Sequence, residues 1–195
     1  MFASYKDHYF GTDIDIASFK RLCLTCQRFH DIIIHDPRFW SSIYVRENTR
    51  ITERRLSLAK SRPLDVSIES LHWSEMDLVI KKRHQWRSLK LCLNDYVFQD
   101  FECYPVLDFE AVIDLDLRLF DDCLEHGTIE AFYRTCSFRN LKALTLFGDN
   151  WQGLPPANSF PRLEDLTLSE VSLGEQDVAI FLQTTPALRN LMILH

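Results

Sequence analysis

The sequence predicts an α/β fold in which N-terminal helices are followed by a solenoid of repeats with parallel strands. Two observations predict it: a helical stretch with an apolar face within residues 16–45, and a leucine pattern that recurs from residue 63 onward. With 195 residues, of which 46% are hydrophobic, the chain is long and apolar enough to bury a core. We therefore expect a helical segment at residues 1–45 and a repeat region at residues 46–195.

The repeat region carries a Leu-x-x-Leu-x-Leu pattern whose units lie 22 to 29 residues apart. Three of the units read FRNLKALTL (138–146), FPRLEDLTL (160–168) and TPALRNLMIL (185–194). This interval is typical of leucine-rich repeats, in which each strand stacks on the next to bury its apolar face. The pattern predicts parallel strands at Val66/Ile68, Leu89/Leu91, Leu115/Leu117, Leu144/Leu146, Leu166/Leu168 and Leu191/Ile193.

Some of the segments between these strands have the spacing of apolar residues that is typical of helices. Such helices are predicted at residues 74–82, 128–136 and 174–183, whereas residues 150–158 predict an irregular loop. A surface helix is also predicted at residues 46–62, with Ile51, Leu56 and Ala59 on its inward side.

The N-terminal stretch predicts one amphipathic helix, a stop, and a short second helix. Pro37 should end the first helix, because proline disfavours helical geometry in the residue before it. Asp36 then caps the short helix that carries Phe39 and Trp40, and we expect both rings to be anchored against the first repeat. The apolar face of the first helix is formed by Ile16, Phe19, Leu22, Cys23, Cys26, Phe29 and Ile33.

The segment TCQRFHDIIIHDPRFWSSIYV (25–45) resembles the second half of an F-box, and particularly the F-box-like segments of large fungal families. In those families a sequence such as RPLDVSI (62–68) and leucine-rich repeats follow, as they do here. The Leu-Pro pair that usually opens an F-box is missing, and the chain starts about where the first helix of the family would end. We therefore expect a shortened F-box.

The resemblance implies docking onto the adaptor subunit of a cullin–RING ubiquitin ligase, since an F-box is a helical module with that role. The residues that it assigns to the adaptor contact are Leu22, Cys26, Phe29, Ile33 and Pro37.

The outward positions of successive strands should form one shared surface for an unknown protein target. The target-binding residues predicted on it are Lys90, Asp114, Asp116, Arg118, Thr145, Phe147, Asp165 and Thr167. The alternative for this surface is a sheet face that is only solvated.

The sequence argues against catalysis, cofactors and metals. Cys23-x-x-Cys26 falls in the middle of the predicted helix, where we expect packed core cysteines instead of a redox or zinc pair. Asp114 and Asp116 share a strand face without a calcium-binding loop, and 5 glycines are too few for a phosphate-cradling loop. We expect no enzymatic activity.

Charge and hydropathy restrict the partners and the compartment. A net charge of −6 argues against nucleic-acid binding, and no apolar run reaches the length of a membrane span. The charged N-terminus does not look like a signal peptide, so we expect a cytoplasmic or nuclear protein with reduced cysteines.

Two functions follow from these observations. In the first, the protein is an adaptor: the N-terminal helices bind the ligase and the repeats select a target. In the second, it is a stand-alone leucine-rich-repeat scaffold, and the F-box remnant only caps the first repeat.

Overall fold

A seven-stranded parallel sheet forms the body of the molecule. The structure is a computed structural model, which describes residues 21, 24–45, 49–68, 73–93, 106–119, 128–148, 151, 154–155 and 159–194. The strands follow chain order across the sheet: β1 (Ser42–Val45), β2 (Leu64–Ile68), β3 (Trp86–Leu93), β5 (Asp114–Leu119), β7 (Ala143–Phe147), β8 (Asp165–Ser169) and β9 (Asn190–Leu194). The prediction of parallel strands at six sites is confirmed, and β1 is an additional member. Two short strands, β4 (Leu107–Asp108) and β6 (Cys136–Ser137), form a second parallel ladder.

The helices from residue 49 onward agree with the predicted positions to within a few residues at each end, whereas the first helix is shorter than predicted. They are α1 (Gln27–His35), α2 (Thr49–Ala59), α3 (Trp73–Ile80), α4 (Thr128–Thr135) and α5 (Glu175–Thr184), with short 3-10 helices at Pro37–Trp40 and Arg83–Gln85. The inward side of α2 was predicted wrongly in one position, since Ile51 is 47% exposed. Thr52, Leu56 and Ala59 are buried instead, and their i, i+4, i+7 spacing places them on one side of the helix.

The last three repeats of the sheet enter β7, β8 and β9 through the same backbone arrangement. The carbonyl group just before one strand accepts two successive backbone N–H groups from the start of the next strand. Ile113 accepts in this way from Lys142 and Ala143 at 2.9 and 3.0 Å, and Lys142 accepts from Glu164 and Asp165 at 2.8 and 2.9 Å. Because the arrangement recurs, it explains why FRNLKALTL and FPRLEDLTL are nearly superposable.

Aromatic side chains stack beneath the beginnings of the strands. Trp86 lies 5.3 Å from Phe109, Phe109 lies 5.1 Å from Phe138, and Phe138 lies 6.3 Å from Phe160, all between ring centroids. All four rings are at most 1% exposed. We call this row the aromatic stack. In the last repeat Thr185 holds the equivalent position, where its hydroxyl donates to the carbonyl of Phe181 at 2.8 Å.

Two repeats leave their strands through a residue in the left-handed backbone region. Gly148 after β7 has a φ of 113°, and its N–H donates to the carbonyl of Ser169. Glu170 after β8 has a φ of 56°, and its N–H donates to the carbonyl of Leu194. A Cβ on Gly148 would lie 2.5 Å from the carbonyl oxygen of Leu119, so glycine is required there for two reasons.

The N-terminal segment differs from the predicted single helix. Cys26 is extended, with φ −162° and ψ 156°, and α1 begins after it. The predicted stop is confirmed: α1 ends at His35, and the carboxylate of Asp36 accepts from the N–H of Arg38 at 3.0 Å. The guanidinium of Arg38, hydrogen-bonded to Asp36, also lowers the pKa of that carboxyl to about 2.

The two aromatic residues of the short helix have different surroundings. Trp40 packs against the hydrophobic core, and its indole N–H donates to the carbonyl of Ile33 at 2.7 Å. The prediction for Trp40 is therefore confirmed. Phe39 is 41% exposed, so the prediction that it is anchored in the same way is wrong.

The cysteines also divide into two groups. Cys92 and Cys136 are buried as predicted, and burial raises the pKa of the Cys136 thiol. Cys26 is exposed, because the break in the helix removes it from the apolar face on which it was predicted. Cys23 lies outside the described residues.

Shortening one ring of the aromatic stack should be strongly destabilising. Phe138→Ala removes a fully buried ring with aromatic neighbours on both sides, and we expect it to lower the free energy of unfolding by about 3–5 kcal/mol. Phe39→Ala, the same change at an exposed ring, should cost less than about 1 kcal/mol. Chemical denaturation followed by circular dichroism measures both; equal losses would contradict the assignment of the stack as core.

The two left-handed positions should respond to substitution in opposite directions. Gly148→Ala places a Cβ against the backbone of Leu119, and we expect a loss of stability on the order of 1–3 kcal/mol. Gly174→Ala is the control, because φ at Gly174 is −66° and an added Cβ would meet only the flexible carboxylate of Asp177.

Glu170→Gly should stabilise the protein by about 0.5–1 kcal/mol, because relief of left-handed strain exceeds the entropic cost of glycine. Thermal unfolding of the three variants checks both expectations. A destabilising Glu170→Gly would show that the Glu170 side chain holds the turn.

Candidate protein-interaction face

One side of the sheet carries the leucines of the core, and the opposite side carries polar residues. The parallel register aligns the polar residues in three rows that cross the strands. Row 1 is Ser42, Asp65, Ser88, Asp114, Ala143, Asp165 and Asn190. Row 2 is Tyr44, Ser67, Lys90, Asp116, Thr145, Thr167 and Met192. Row 3 is Cys92, Arg118, Phe147, Ser169 and Leu194. We call these rows together the polar face.

The structure brings all eight predicted target-binding residues together on the polar face. Asp114 and Asp165 lie in row 1, and Arg118 and Phe147 lie in row 3. The remaining four, Lys90, Asp116, Thr145 and Thr167, are consecutive neighbours in row 2. Period-two alternation is the reason, because residues two apart on a strand point to the same side. Their role in binding stays a prediction.

A compact charged cluster occupies the middle of the polar face. The carboxylate of Asp116 accepts from the guanidinium of Arg118 at 3.0 Å, and the ammonium of Lys90 lies 3.7 Å from it. Arg118 also lies over the ring of Phe147, 5.4 Å from its centroid. Burial and the neighbouring Arg118 lower the pKa of Lys90. Two cations therefore share one carboxylate, and all three side chains are held in place by one another.

Row 1 is different, because part of its negative charge is not compensated. Asp65 is paired with the guanidinium of Arg87 at 2.7 Å, whereas Asp165 accepts at 2.5 Å from the neutral side chain of Asn190. The carboxylate of Asp114 makes no hydrogen bond or ion pair with the residues that the structure describes. Burial raises the pKa of Asp114, and the neighbouring carboxylates of Asp116 and Asp65 raise it further, against the opposing effect of Arg87.

The predicted adaptor-binding residues are distributed over α1 and its two ends. Cys26 and Phe29 are exposed, Phe29 by 47%, whereas Pro37 is half-buried. Ile33 is only 4% exposed, and Leu22 lies outside the described residues.

Two exposed apolar residues of the same segment were missed in the sequence: Leu24, 85% exposed, and Ile32, 45% exposed. Ile32 follows Phe29 by three residues, so the two share one side of α1, and that spacing was the available signal.

Two grooves in the described part of the molecule, of about 440 and 580 Å³, lie where strands begin, and none of the eight predicted target-binding residues lines them. Among the described residues no group of three histidine, cysteine, aspartate or glutamate side chains could hold a metal ion. No helix in the described part of the chain has the length and hydropathy to cross a membrane.

The isolated carboxylate of Asp114 should be unfavourable for folding. A carboxyl whose pKa is raised in the folded state is penalised where both states are ionised, and the penalty disappears as pH falls below the unfolded value. Asp114→Asn should therefore stabilise the protein at neutral pH by roughly 0.5 kcal/mol, since partial exposure screens the effect, and by less at acidic pH.

Asp116→Asn is the matched control, on the same strand. It should destabilise the protein, because it leaves Arg118 and Lys90 without their carboxylate. Denaturant titrations at neutral and acidic pH measure both variants. A destabilising Asp114→Asn would show that this carboxylate has a partner that stabilises the fold.

Comparison with known proteins gives one match. Residues 108–195, which include β5, β7, β8 and β9, match the family model described as "FBD-associated F-box protein At5g56370, LRR repeats". No curated protein and no solved structure matches the chain. Over residues 108–195 the chain is therefore similar to the leucine-rich repeats of an F-box-associated family.

Proposed function

We propose that the protein is a non-enzymatic adaptor, the substrate-recognition subunit of an SCF-type cullin–RING ubiquitin ligase. In this proposal a shortened F-box of the fungal type binds the ligase adaptor, and the leucine-rich-repeat solenoid binds a protein target. The protein uses no cofactor, binds neither nucleic acid nor membrane, and acts in the cytoplasm or the nucleus.

The observation that carries this proposal is the continuity of the polar face. Its rows cross from β1 or β3 to β9 in continuous register, with one register shift between β2 and β3 just before the first row, at Leu64, so a partner can contact several strands at once. The face mixes charged, hydroxyl, aromatic and apolar side chains, the composition expected of a protein-binding surface. The similarity of residues 108–195 to the repeats of an F-box-associated family points to the same role.

On the ligase side, the proposal relies on the exposed apolar residues of α1. Phe29 and Ile32 form an exposed pair on one side of the helix, and such a pair suits a helix that docks into a groove. Ile33 is buried and its carbonyl accepts from the indole of Trp40, so within the proposal it orients α1 for the partner.

A specific observation also favours the alternative, a stand-alone scaffold with an N-terminal cap. The segment that resembles the end of an F-box contains β1, which is hydrogen-bonded to β2 as the first strand of the sheet. Trp40, just before β1, packs against the core. Both features are what a cap that covers the first repeat requires.

A binding assay with the purified ligase adaptor distinguishes the two functions. We expect the chain alone to bind weakly or undetectably, and the chain with a full leading F-box helix grafted ahead of Met1 to bind clearly. Losing apolar anchors weakens a helix-in-groove contact by roughly tenfold per 1.4 kcal/mol. No binding by the grafted chain would favour the scaffold, and tight binding by the unmodified chain would show that the grafted helix is not needed.

A pair of equally exposed residues controls for non-specific effects. In the grafted chain Phe29→Ser should weaken adaptor binding by about tenfold or more. Ile51→Ser should leave it unchanged, because Ile51 has the same 47% exposure but lies on α2. Equal losses in the two variants would argue against docking through α1.

A further inference from the structure

The charges of the polar face are distributed unevenly between residues that are already paired and residues that are not. Lys90 and Arg118 are engaged with Asp116, and their side chains are only 20% and 16% exposed. Asp65 is engaged with Arg87. Among the described residues Asp114 and Asp165 have no cation within ion-pair distance, although Asp165 accepts from the amide of Asn190. A partner that contacts the polar face therefore meets two carboxylates without an ion-pair partner in the described part of the chain, whereas the cations of the face, Lys90 and Arg118, are mostly buried and already paired.

The two available carboxylates flank a small residue. The register places Asp114 on β5, Ala143 on β7 and Asp165 on β8 as consecutive members of row 1. Because neighbouring strands are about 4.8 Å apart, the Cα atoms of Asp114 and Asp165 are separated by roughly 10 Å. Ala143 fills this interval only with a methyl group, which leaves space for the head group of one long side chain between the carboxylates.

Apolar side chains lie on the same face, within reach of the same partner. Phe147 is half-buried beneath Arg118, whereas Met192 and Leu194 are 55% and 46% exposed. Phe147 lies four residues beyond Ala143 on β7, about 13 Å away, whereas Met192 and Leu194 on β9 lie about 12 and 16 Å from Ala143. A partner that reaches both places must present a basic residue roughly 12–16 Å from an apolar one.

We infer that the polar face binds a partner protein by seating a lysine or arginine side chain of that partner between Asp114 and Asp165, across Ala143, while an apolar residue of the partner contacts Phe147, Met192 or Leu194. This inference rests on the proposed function, because it specifies the chemistry of the protein that the repeats would recognise. Charge complementarity carries it: a basic group is attracted by both carboxylates, whereas an acidic group would be repelled by both.

A titration with a small defined probe tests the cation seat directly. The probe is Nα-acetyl-arginine amide, and its neutral isostere Nα-acetyl-citrulline amide is the control. We expect the arginine probe, and not the citrulline probe, to shift the amide NMR signals of residues 114, 143 and 165. Asp114→Asn should weaken that binding several-fold, and Asp114→Asn combined with Asp165→Asn on the order of tenfold.

Asp65→Asn separates a local seat from a general effect of net charge. It removes the same charge from the same row, at a carboxylate that Arg87 already compensates, and it should change the affinity by less than about twofold. Equal losses for Asp65→Asn and Asp114→Asn, or equal shifts with both probes, would overturn the inference.

Selection from a displayed random-peptide library on the full chain separates failure of this inference from failure of the proposed function. Peptides that bind the polar face should lose binding to Thr145→Arg, which places a bulky cation at the centre of row 2. We expect those peptides to carry a lysine or arginine. A second selection on the Asp114→Asn, Asp165→Asn double variant should yield peptides without this basic residue. Peptides sensitive to Thr145→Arg but without a basic residue would overturn the inference alone, whereas peptides insensitive to Thr145→Arg would also count against the proposed function.

Discussion

The aromatic stack is the interaction on which the rest of the structure depends. Its rings are 5.1 to 6.3 Å apart, close to the spacing of about 4.8 Å between neighbouring strands. Each ring can therefore lie beneath the start of its own strand while it contacts the ring of the next repeat. The stack links the repeats of β3, β5, β7 and β8, and the carbonyl groups of Ile113 and Lys142 fix the register at the starts of β7 and β8. The rows of the polar face are aligned because the strands cannot slip by one residue without moving leucines out of the core.

Much of this architecture could be predicted from the sequence, because it follows from periodicity. Alternating leucines at a regular interval predict both the strands and the side on which Asp116 or Thr145 will lie. The aromatic stack could not be predicted in the same way, because Trp86 and Phe109 do not hold the same position in their repeats. The break at Cys26 was missed for a related reason: helical spacing of apolar residues continues across it, and periodicity does not report a local change of backbone angle. Tertiary packing decides such positions, as it does for Ile51 and Thr52.

The polar face combines a centre of mutually paired side chains with a neighbouring carboxylate whose ionisation is unfavourable. Asp116, Arg118 and Lys90 hold one another in place, and Arg118 covers Phe147, so these side chains form a preorganised surface. Asp114 sits beside them without an ion-pair partner among the described residues, and burial raises its pKa despite the opposing charge of Arg87, so its ionisation is unfavourable in the free protein. Proteins commonly keep such locally unfavourable groups where they bind something, because the interaction with the partner offsets the cost. The sequence predicts that Asp114 lies on this surface. Only the structure shows that Asp65 and Asp116 form ion pairs and that Asp114 does not form one with the described residues.

The strands lie in the sheet in the same order as in the chain, and this order also determines how the molecule unfolds. Every strand of the sheet pairs only with the strands that precede and follow it in the sheet, so the contacts that hold it are local in the sequence. Proteins of this kind do not unfold as one unit, and they lose terminal repeats before central ones. Leu115 and Leu117 in β5 are fully buried, whereas Leu191 and Ile193 in β9 are 38% and 46% exposed. Amide hydrogens of β9 will therefore exchange with solvent first and those beside the aromatic stack last, which gives the protein a gradient of local stability along its own sequence.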